Sequence, residues 1–257
     1  MSHVYSDTFF DYINESARDS AAPVTSLVHQ VLTPRSVLDL GSGRGVWLDE
    51  WRRRGVQMVL GVDGDYVDQT ALAIAPDEFM AADLTQPLNV GRRFDLAQCL
   101  EVGEHLPQEA SVTLVASLTA ASDRVLFSAA VPGQGGEFHI NEQPLAYWQA
   151  LFEARGYRAY DFVRPQMRRN RAVAPWYRYN TVLYANDTGR VGLPDAVLAR
   201  QVPVGEAVQD GGDALWRLRR GVVSHLPRGA VTRIAQWRAG ILAWRAQQQT
   251  RRSGLSA

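Results

Sequence analysis

Ser36-Val37-Leu38-Asp39-Leu40-Gly41-Ser42-Gly43-Arg44-Gly45 is a short apolar run that passes through one acid and opens into three alternate glycines. The run predicts a buried parallel strand. The glycines predict a turn where backbone passes close to a ligand. Val46 to Trp51 follows with apolar residues at helical spacing. The unit is therefore strand, glycine-rich turn, helix. At the carboxyl end of the first strand of a doubly wound sheet, such a unit is a nucleotide-type cofactor site.

The downstream residues agree. A second apolar run, Met58 to Val62, ends at Asp63, and Gly64 follows. An acid at the tip of a second strand is placed to accept both hydroxyls of a ribose. The spacing does not fit a dinucleotide fingerprint, which wants a further glycine opening the helix. With Gly-x-Gly-x-Gly and Asp39 two residues before the first glycine, the pattern resembles class I S-adenosylmethionine (SAM) methyltransferases. The resemblance implies SAM as cofactor. Asp63 would bind the ribose, and Gly41, Ser42, Gly43 and Gly45 would lie against the methionine part. Asp83, in Ala82-Asp83-Leu84 after a third strand, would meet the adenine amino group. Asp39, Gly64, Leu84 and Leu100 complete the expected cofactor set.

The resemblance runs over roughly residues 5 to 186. Phe94 to Glu101 looks like the family's fourth strand, with Glu101 to Pro107 as the loop after it. Val125 to Gly133 looks like the fifth strand and its exit. Phe138 to Pro144, then Trp148, Phe152 and Gly156-Tyr157, resemble the block before the sixth strand, and Tyr177 to Ala185 alternates as a seventh would. The implied fold is α/β and Rossmann-like, a seven-stranded, mostly parallel sheet flanked by helices, with an arginine-rich helical C-terminal extension.

The expected divisions are residues 1–35, helices covering the cofactor; 36–186, the SAM-binding core; 187–213, a linker; and 214–257, a basic amphipathic tail. Tyr5 to Ala22 reads as one helix, with Phe9, Phe10, Tyr12 and Ile13 on its apolar side. Pro23 reads as an interruption before a second helix, Val24 to Leu32. Gly133-Gln134-Gly135-Gly136 reads as a turning loop at the cofactor edge of the sheet. Arg164 to Arg171 reads as a solvated loop or flap. In the tail, Ile234, Trp237, Ile241 and Trp244 fall at helical spacing. That stripe suits packing on the chain's own core, a second subunit, or a membrane surface.

Charge sharpens this division. The 27 basic residues balance 27 acidic ones over 257 residues. No residue is lysine, which excludes Schiff-base chemistry, pyridoxal phosphate anchoring and a P-loop lysine. After Asp213 the chain is without acids but keeps nine arginines, Arg217 to Arg252. A lone Cys99 in a strand excludes a disulfide within the chain. The sequence shows no secretory signal and no apolar stretch of spanning length, which fits the cytoplasm.

Methyl transfer from a sulfonium needs alignment of a nucleophile and a group to manage its proton. Glu101, Glu104 and His105, just past the fourth strand, stand where that group belongs, and His139 comes from the loop after the neighbouring fifth strand. In one reading, His105 or His139 is the general base, with a carboxylate such as Glu104 orienting it. In a second, Glu101, Glu104, His105 and His139 hold a divalent metal such as Mg²⁺ or Mn²⁺ that acidifies the acceptor hydroxyl. In a third, Glu104 only caps or orients. The Glu-x-x-Glu-His pattern resembles small-RNA 2′-O-methyltransferases and ubiquinone-pathway O-methyltransferases, although the former surround their later histidine with a different motif.

These readings converge on an O-methyltransferase acting on a hydroxylated small molecule, a sugar or glycosylated natural product. An N-acceptor, RNA 2′-O-methylation and a non-catalytic SAM-binding scaffold are the alternatives. The acidic catalytic part, which offers no basic path for a phosphate backbone, makes nucleic acid the poorer partner.

Overall fold

In the computed structural model, residues 7–227 and 229–234 are described, with side chains from residue 17 onward. Strands β1 (Ser36–Leu40), β2 (Met58–Asp63), β3 (Phe79–Ala81), β4 (Leu96–Leu100), β5 (Arg124–Ser128), β6 (Arg158–Tyr160) and β7 (Val182–Ala185) form one sheet. Its order is β3-β2-β1-β4-β5-β7-β6. All pairs are parallel except those of β7, which runs antiparallel to β5 and β6. The chain leaves β1 for β2 on one side and later returns to β4 on the other. This reversal opens a crevice beyond the carboxyl ends of the strands, and the glycine turn lies at it.

Helices cover both faces, so the strands are apolar throughout rather than alternating. Val37, Leu96, Leu126 and Leu183 point to one side, against α1 (Asp7–Leu32), α2 (Val46–Arg53), α5 (Val163–Met167), α6 (Pro175–Asn180) and α8 (Asp195–Leu198). Leu38, Ala97, Cys99, Val125 and Phe127 point to the other, against α3 (Ser111–Ala121) and α4 (Leu145–Glu153). α7 (Asp187–Arg190) follows β7, and α9 (Ala214–Val223) closes the described fold, with residues 229–234 helical beyond it.

Four expectations are corrected. Pro23 does not divide the first helix; α1 runs through it. Its ring removes one i→i−4 bond, but Ala17, Ala21, Val24, Val28 and Leu32 stay buried on one face. Arg54 then braces the site from α2's end, donating to the Ala22 carbonyl (2.6 Å) and the Thr25 hydroxyl (2.7 Å). Tertiary packing outweighs the local defect. The seventh strand is shorter than Tyr177–Ala185, because Pro175 opens α6 and Tyr177 to Asn180 are helical. Proline suits a first helical turn, and Tyr177 packs edge-on to Trp47 at 5.0 Å.

Arg164, expected in a solvated flap, is 4% exposed. Its guanidinium clamps Asp161 through two 2.7 Å bonds and reaches the Gln209 carbonyl at 2.7 Å. Residues 187–213, expected as a linker, carry α7 and α8 and pack on the core. Leu193, Val197 and Val208 are buried, and Gln201 bridges to Tyr160. The polar composition of this segment is spent on caps; Asn186, for example, accepts the Gly189 N–H at 2.8 Å.

Candidate active site

A cavity of about 530 Å³ lies over the carboxyl ends of β1, β2 and β4. Asp39, Gly41, Ser42, Gly43, Asp63, Gly64, Asp83, Leu84, Leu100, Glu101, Glu104, His105 and His139 all line it. Gly45 does not. It is the N-cap of α2, with φ +80°, and faces Ile74. Its glycine is required by backbone geometry and packing rather than by the cavity.

The turn is held to β2 by Gly41 N–H to the Val62 carbonyl at 2.8 Å. At Gly41, φ is +83° and a Cβ would fall 2.2 Å from the Val102 side chain. A larger residue there would need both a strained backbone and a displaced neighbour. At the β2 tip, Asp63 is 6% exposed. Its Oδ2 accepts the Gly43 N–H at 2.7 Å, and its Oδ1 accepts the Gly64 N–H at 2.7 Å and the Tyr66 hydroxyl at 2.5 Å. Burial raises its pKa against those three bonds. Tyr66 was not found from the sequence. The signal for it was Gly64, where a Cβ would collide with the Tyr66 ring.

Asp39 pairs in register with Gln98 on β4 and is 3% exposed. Burial pushes its carboxyl up to about 7, with Gln98 opposing the shift and Asp63 adding to it. Asp83, at the rim, is held below the usual range by the Thr85 hydroxyl and N–H.

The loop after β4 carries the second group. Gly103–His105 forms a 3₁₀ turn, and Glu104 is 1% exposed. Neither Glu104 oxygen finds a hydrogen-bond partner of good geometry among the described residues. Burial, and then the nearby Glu101 charge, push its pKa well above the carboxylate range. His105 and His139 meet edge-on at 4.9 Å. Burial, then the charge of His139, pull the His105 pKa down to about 3, so His105 is neutral at physiological pH. His139 Nδ1 lies 2.9 Å from Glu142 Oε1. Although burial would raise Glu142, its bond to His139 and those from the Gly135 and Gly133 N–H groups hold it below its ordinary value. A carboxylate on Nδ1 fixes the imidazole's orientation and tautomer.

Glu101 is used differently from its expected role as a ligand. Gln134 donates to Glu101 Oε2 at 2.7 Å and Asn180 donates to the Gln134 side-chain oxygen at 2.8 Å. Among the described residues, Glu104, His105 and His139 form the cluster whose donor atoms lie within 4.8 Å of one another, without Glu101. Glu101 (φ +58°) and Phe138 (φ +57°) are left-handed without being glycine, which places backbone strain at this group.

The sequence placed the loop of Gln134 at the cofactor edge of the sheet and missed the rest of the wall. Trp176 and Tyr177 of α6, Gln134, and Trp216, Arg219, Val223, Leu226, Val231 and Ile234 of the C-terminal segment also line the cavity. Of the expected tail stripe, Ile234 is described, whereas Trp237, Ile241 and Trp244 lie outside the described residues, as do the side chains of Phe9, Phe10, Tyr12 and Ile13. Ala17 of α1 does border the cavity. No described helix is long and apolar enough to cross a membrane.

Comparison with known proteins fits this geometry. A methyltransferase-domain family model matches residues 15–161. The chain belongs to that family, the class I, SAM-dependent methyltransferases that its glycine turn and strand-tip acids resemble. A curated relative, the ubiquinone biosynthesis O-methyltransferase of Stutzerimonas stutzeri (strain A1501), is 28% identical over 137 residues, 49% of this chain and 53% of the relative. The chain thus spans about half the length of the curated relative it matches. Among solved structures, Streptomyces venezuelae DesVI shares 15% identity at a TM-score of 0.55, over 72% of this chain and 100% of that one. An O-methyltransferase family protein from Burkholderia thailandensis shares 14% at 0.53, over 69% and 59%. Human N-acetylserotonin methyltransferase, solved with SAM, shares 15% at 0.50, over 69% and 55%. At these identities the likeness concerns the fold.

Proposed function

We propose that this protein transfers the methyl group of SAM to a hydroxyl of a small molecule. The observation that carries the reading is the shared cavity: the glycine turn with Asp63 walls the same space as Glu104, His105 and His139. The residues fit the cofactor. The bare turn admits close approach, Asp63 and Asp83 present carboxylates at the strand tips, and Asp39 stands where burial leaves a carboxyl short of a cation. When bound, SAM would supply an already activated electrophilic methyl group.

The chain's own residues then align the acceptor and take its proton. The His139–Glu142 pair is the best-formed base: Glu142 holds Nδ1 and leaves Nε2 as the acceptor. His105, with its pKa near 3, holds protons too weakly for that role. Glu104, whose burial and whose neighbour Glu101 favour the protonated acid, is the weaker acceptor at the same place.

The Glu104 oxygens, buried without a well-formed hydrogen bond among the described residues, favour a metal as a second reading. Glu104, His105 and His139 would hold it, and Glu142 would orient His139 from behind. A divalent cation there would lower the pKa of the acceptor hydroxyl. Radiolabelled methyl transfer from SAM to a panel of hydroxylated acceptors, with and without chelator, tests both readings. Loss of turnover in chelator, restored by Mg²⁺ or Mn²⁺, selects the metal. Full turnover in chelator selects the His139–Glu142 base. Absence of transfer to any acceptor, together with absence of SAM binding, contradicts the enzyme.

A sugar-bearing natural product remains the acceptor suggested by the family resemblance. The aromatic and aliphatic walls at Trp176, Tyr177 and Trp216 suit the body of such a molecule better than a free sugar.

A further inference from the structure

We infer that residues 214–227 and 229–234 form the acceptor wall of the cavity, and that this wall selects a hydroxylated molecule with an apolar body. The inference rests on the methyltransferase reading above and names the substrate class of the same site.

The segment lies beyond the part of the chain matched by the family, yet it is built into the cavity. Asp213 caps α9 by accepting the Trp216 N–H at 2.8 Å and is itself held by the Tyr179 hydroxyl at 2.7 Å. Arg220 donates to the Pro132 carbonyl at 3.1 Å and pairs with Asp210 at 2.5 Å. Arg219 donates to the Gln134 carbonyl at 2.8 Å and stacks over Trp216 at 5.1 Å. The two arginines therefore dock the helix on backbone carbonyls of the loop after β5, with Asp210 holding Arg220 as well.

That loop is matched to its cover. A Cβ on Gly133 would sit 2.5 Å from the Arg220 carbonyl oxygen, and one on Gly135 would sit 2.8 Å from Val231. The glycines leave room for the segment to approach.

The sheet order fixes which end of the cavity this is. From β2, which carries Asp63, the sequence of neighbours is β1, β4, then β5. At about 4.8 Å per strand, the loop after β5 lies roughly 14 Å along the sheet edge from the ribose acid. The wall consequently faces the end where Glu104 and His139 stand, beyond the cofactor motifs.

Its chemistry is apolar. Trp216, Val223, Leu226, Val231 and Ile234 face the cavity, and Arg219, the one cation of the segment that lines it among the described residues, is stacked and bonded. Apart from one hydroxyl taken by the buried Trp216 indole N–H, which has no partner among the described residues, a polyhydroxylated ligand here would bury its hydroxyls unbonded against these apolar side chains. A flat or aliphatic body with one reacting hydroxyl would not.

The test uses the full chain saturated with S-adenosylhomocysteine (SAH), with 8-anilinonaphthalene-1-sulfonate as fluorescent probe and circular dichroism to establish folding. Wild type should bind about one probe, displaced by 2-naphthol and not by glucose. Trp216→Ala and Val223→Asp should each weaken probe binding about tenfold or more. Trp216→Phe should restore most of the affinity, and SAH affinity should stay within about twofold of wild type in all three. The wall is refuted if both folded variants bind the probe like wild type, if glucose displaces it and 2-naphthol does not, or if SAH affinity falls in step with probe binding. Should wild type fail to bind SAH, the methyltransferase reading falls. The probe titration without SAH then decides the wall separately.

Discussion

At the Asp63 end of the cavity the walls are backbone and strand-tip acids. At the Trp216 end they are side chains from α6, the loop after β5 and α9. The first end is made by local rules: a glycine turn, a helix start, and an acid where a strand stops. Its residues lie close together in sequence, with Gly43 bonded to Asp63 twenty positions on. The second end is made by tertiary contacts such as Arg219 to Gln134, separated by 85 positions. A cofactor shared by many enzymes can be met by backbone, which is indifferent to side-chain choice. An acceptor particular to one enzyme must be met by side chains, and those come from wherever the chain returns.

Substitutions can break or sharpen this contrast. The largest effect is expected at Asp63. Asp63→Ala removes a carboxylate that fixes the turn and would bond the ribose, so SAH affinity should fall about 100-fold by calorimetry, from two charge-assisted bonds of about 1.5 kcal/mol each. Asp63→Asn, keeping shape, separates lost charge from a disturbed turn. An unchanged affinity would remove Asp63 from the cofactor end. Next comes the proton acceptor. His139→Ala should lower turnover by about 100-fold or more with SAH binding intact. A His139→Ala enzyme at full rate would leave the site without its base.

Asp39 gives a pH signature. Its folded pKa of about 7 stands above the ordinary 3.8, so the folded state favours the neutral acid. The stability it contributes is full below about pH 3.8 and is lost as pH rises through about 7. Asp39→Asn should flatten that loss in thermal unfolding between those limits. A cationic amino group bound nearby favours the ionised form, so SAH binding at pH 6 should release about one proton more in wild type than in Asp39→Asn. Calorimetry in two buffers of different ionisation enthalpy reads this. Equal release in both proteins would detach Asp39 from the cofactor.

The smallest effect is expected at Tyr66. Its hydroxyl occupies an outward position on Asp63 that a ribose hydroxyl would take. Tyr66→Phe should tighten SAH by about two- to threefold, because an internal competitor for one hydrogen bond is gone. Weakening of tenfold or more would make Tyr66 a cofactor ligand instead.

The legibility of the sequence follows the same contrast. The turn and the strand-tip positions of Asp63 and Asp83 were readable because strand tips and glycines obey local periodicity, whereas the seven-stranded, mostly parallel sheet followed from the family resemblance and its order came from the structure. Gly45 was assigned to the cofactor because alternation alone does not separate a lining glycine from a capping one. Tyr177–Asn180 read as strand because aromatic alternation looks alike before a helix packs it. Glu101 read as a ligand because nothing in the sequence reveals that Gln134 occupies it, with Asn180 holding Gln134 in turn. The arginine-rich α9 read as an appendage. Its two docking arginines bond the Gln134 and Pro132 carbonyls, which any sequence carries, and the ion pair of Arg220 with Asp210 ties α9 only to the segment just before it, so the charge pattern did not announce where it rests.

The division of the cavity is tested most directly by a crystal structure of the full chain with SAH. The account predicts the ribose hydroxyls on Asp63, the amino acid portion along Gly41 to Gly43, the sulfur facing Glu104 and His139, and open space between the sulfur and Trp216. An adenosine lodged beneath Trp216, with Asp63 untouched, would contradict it.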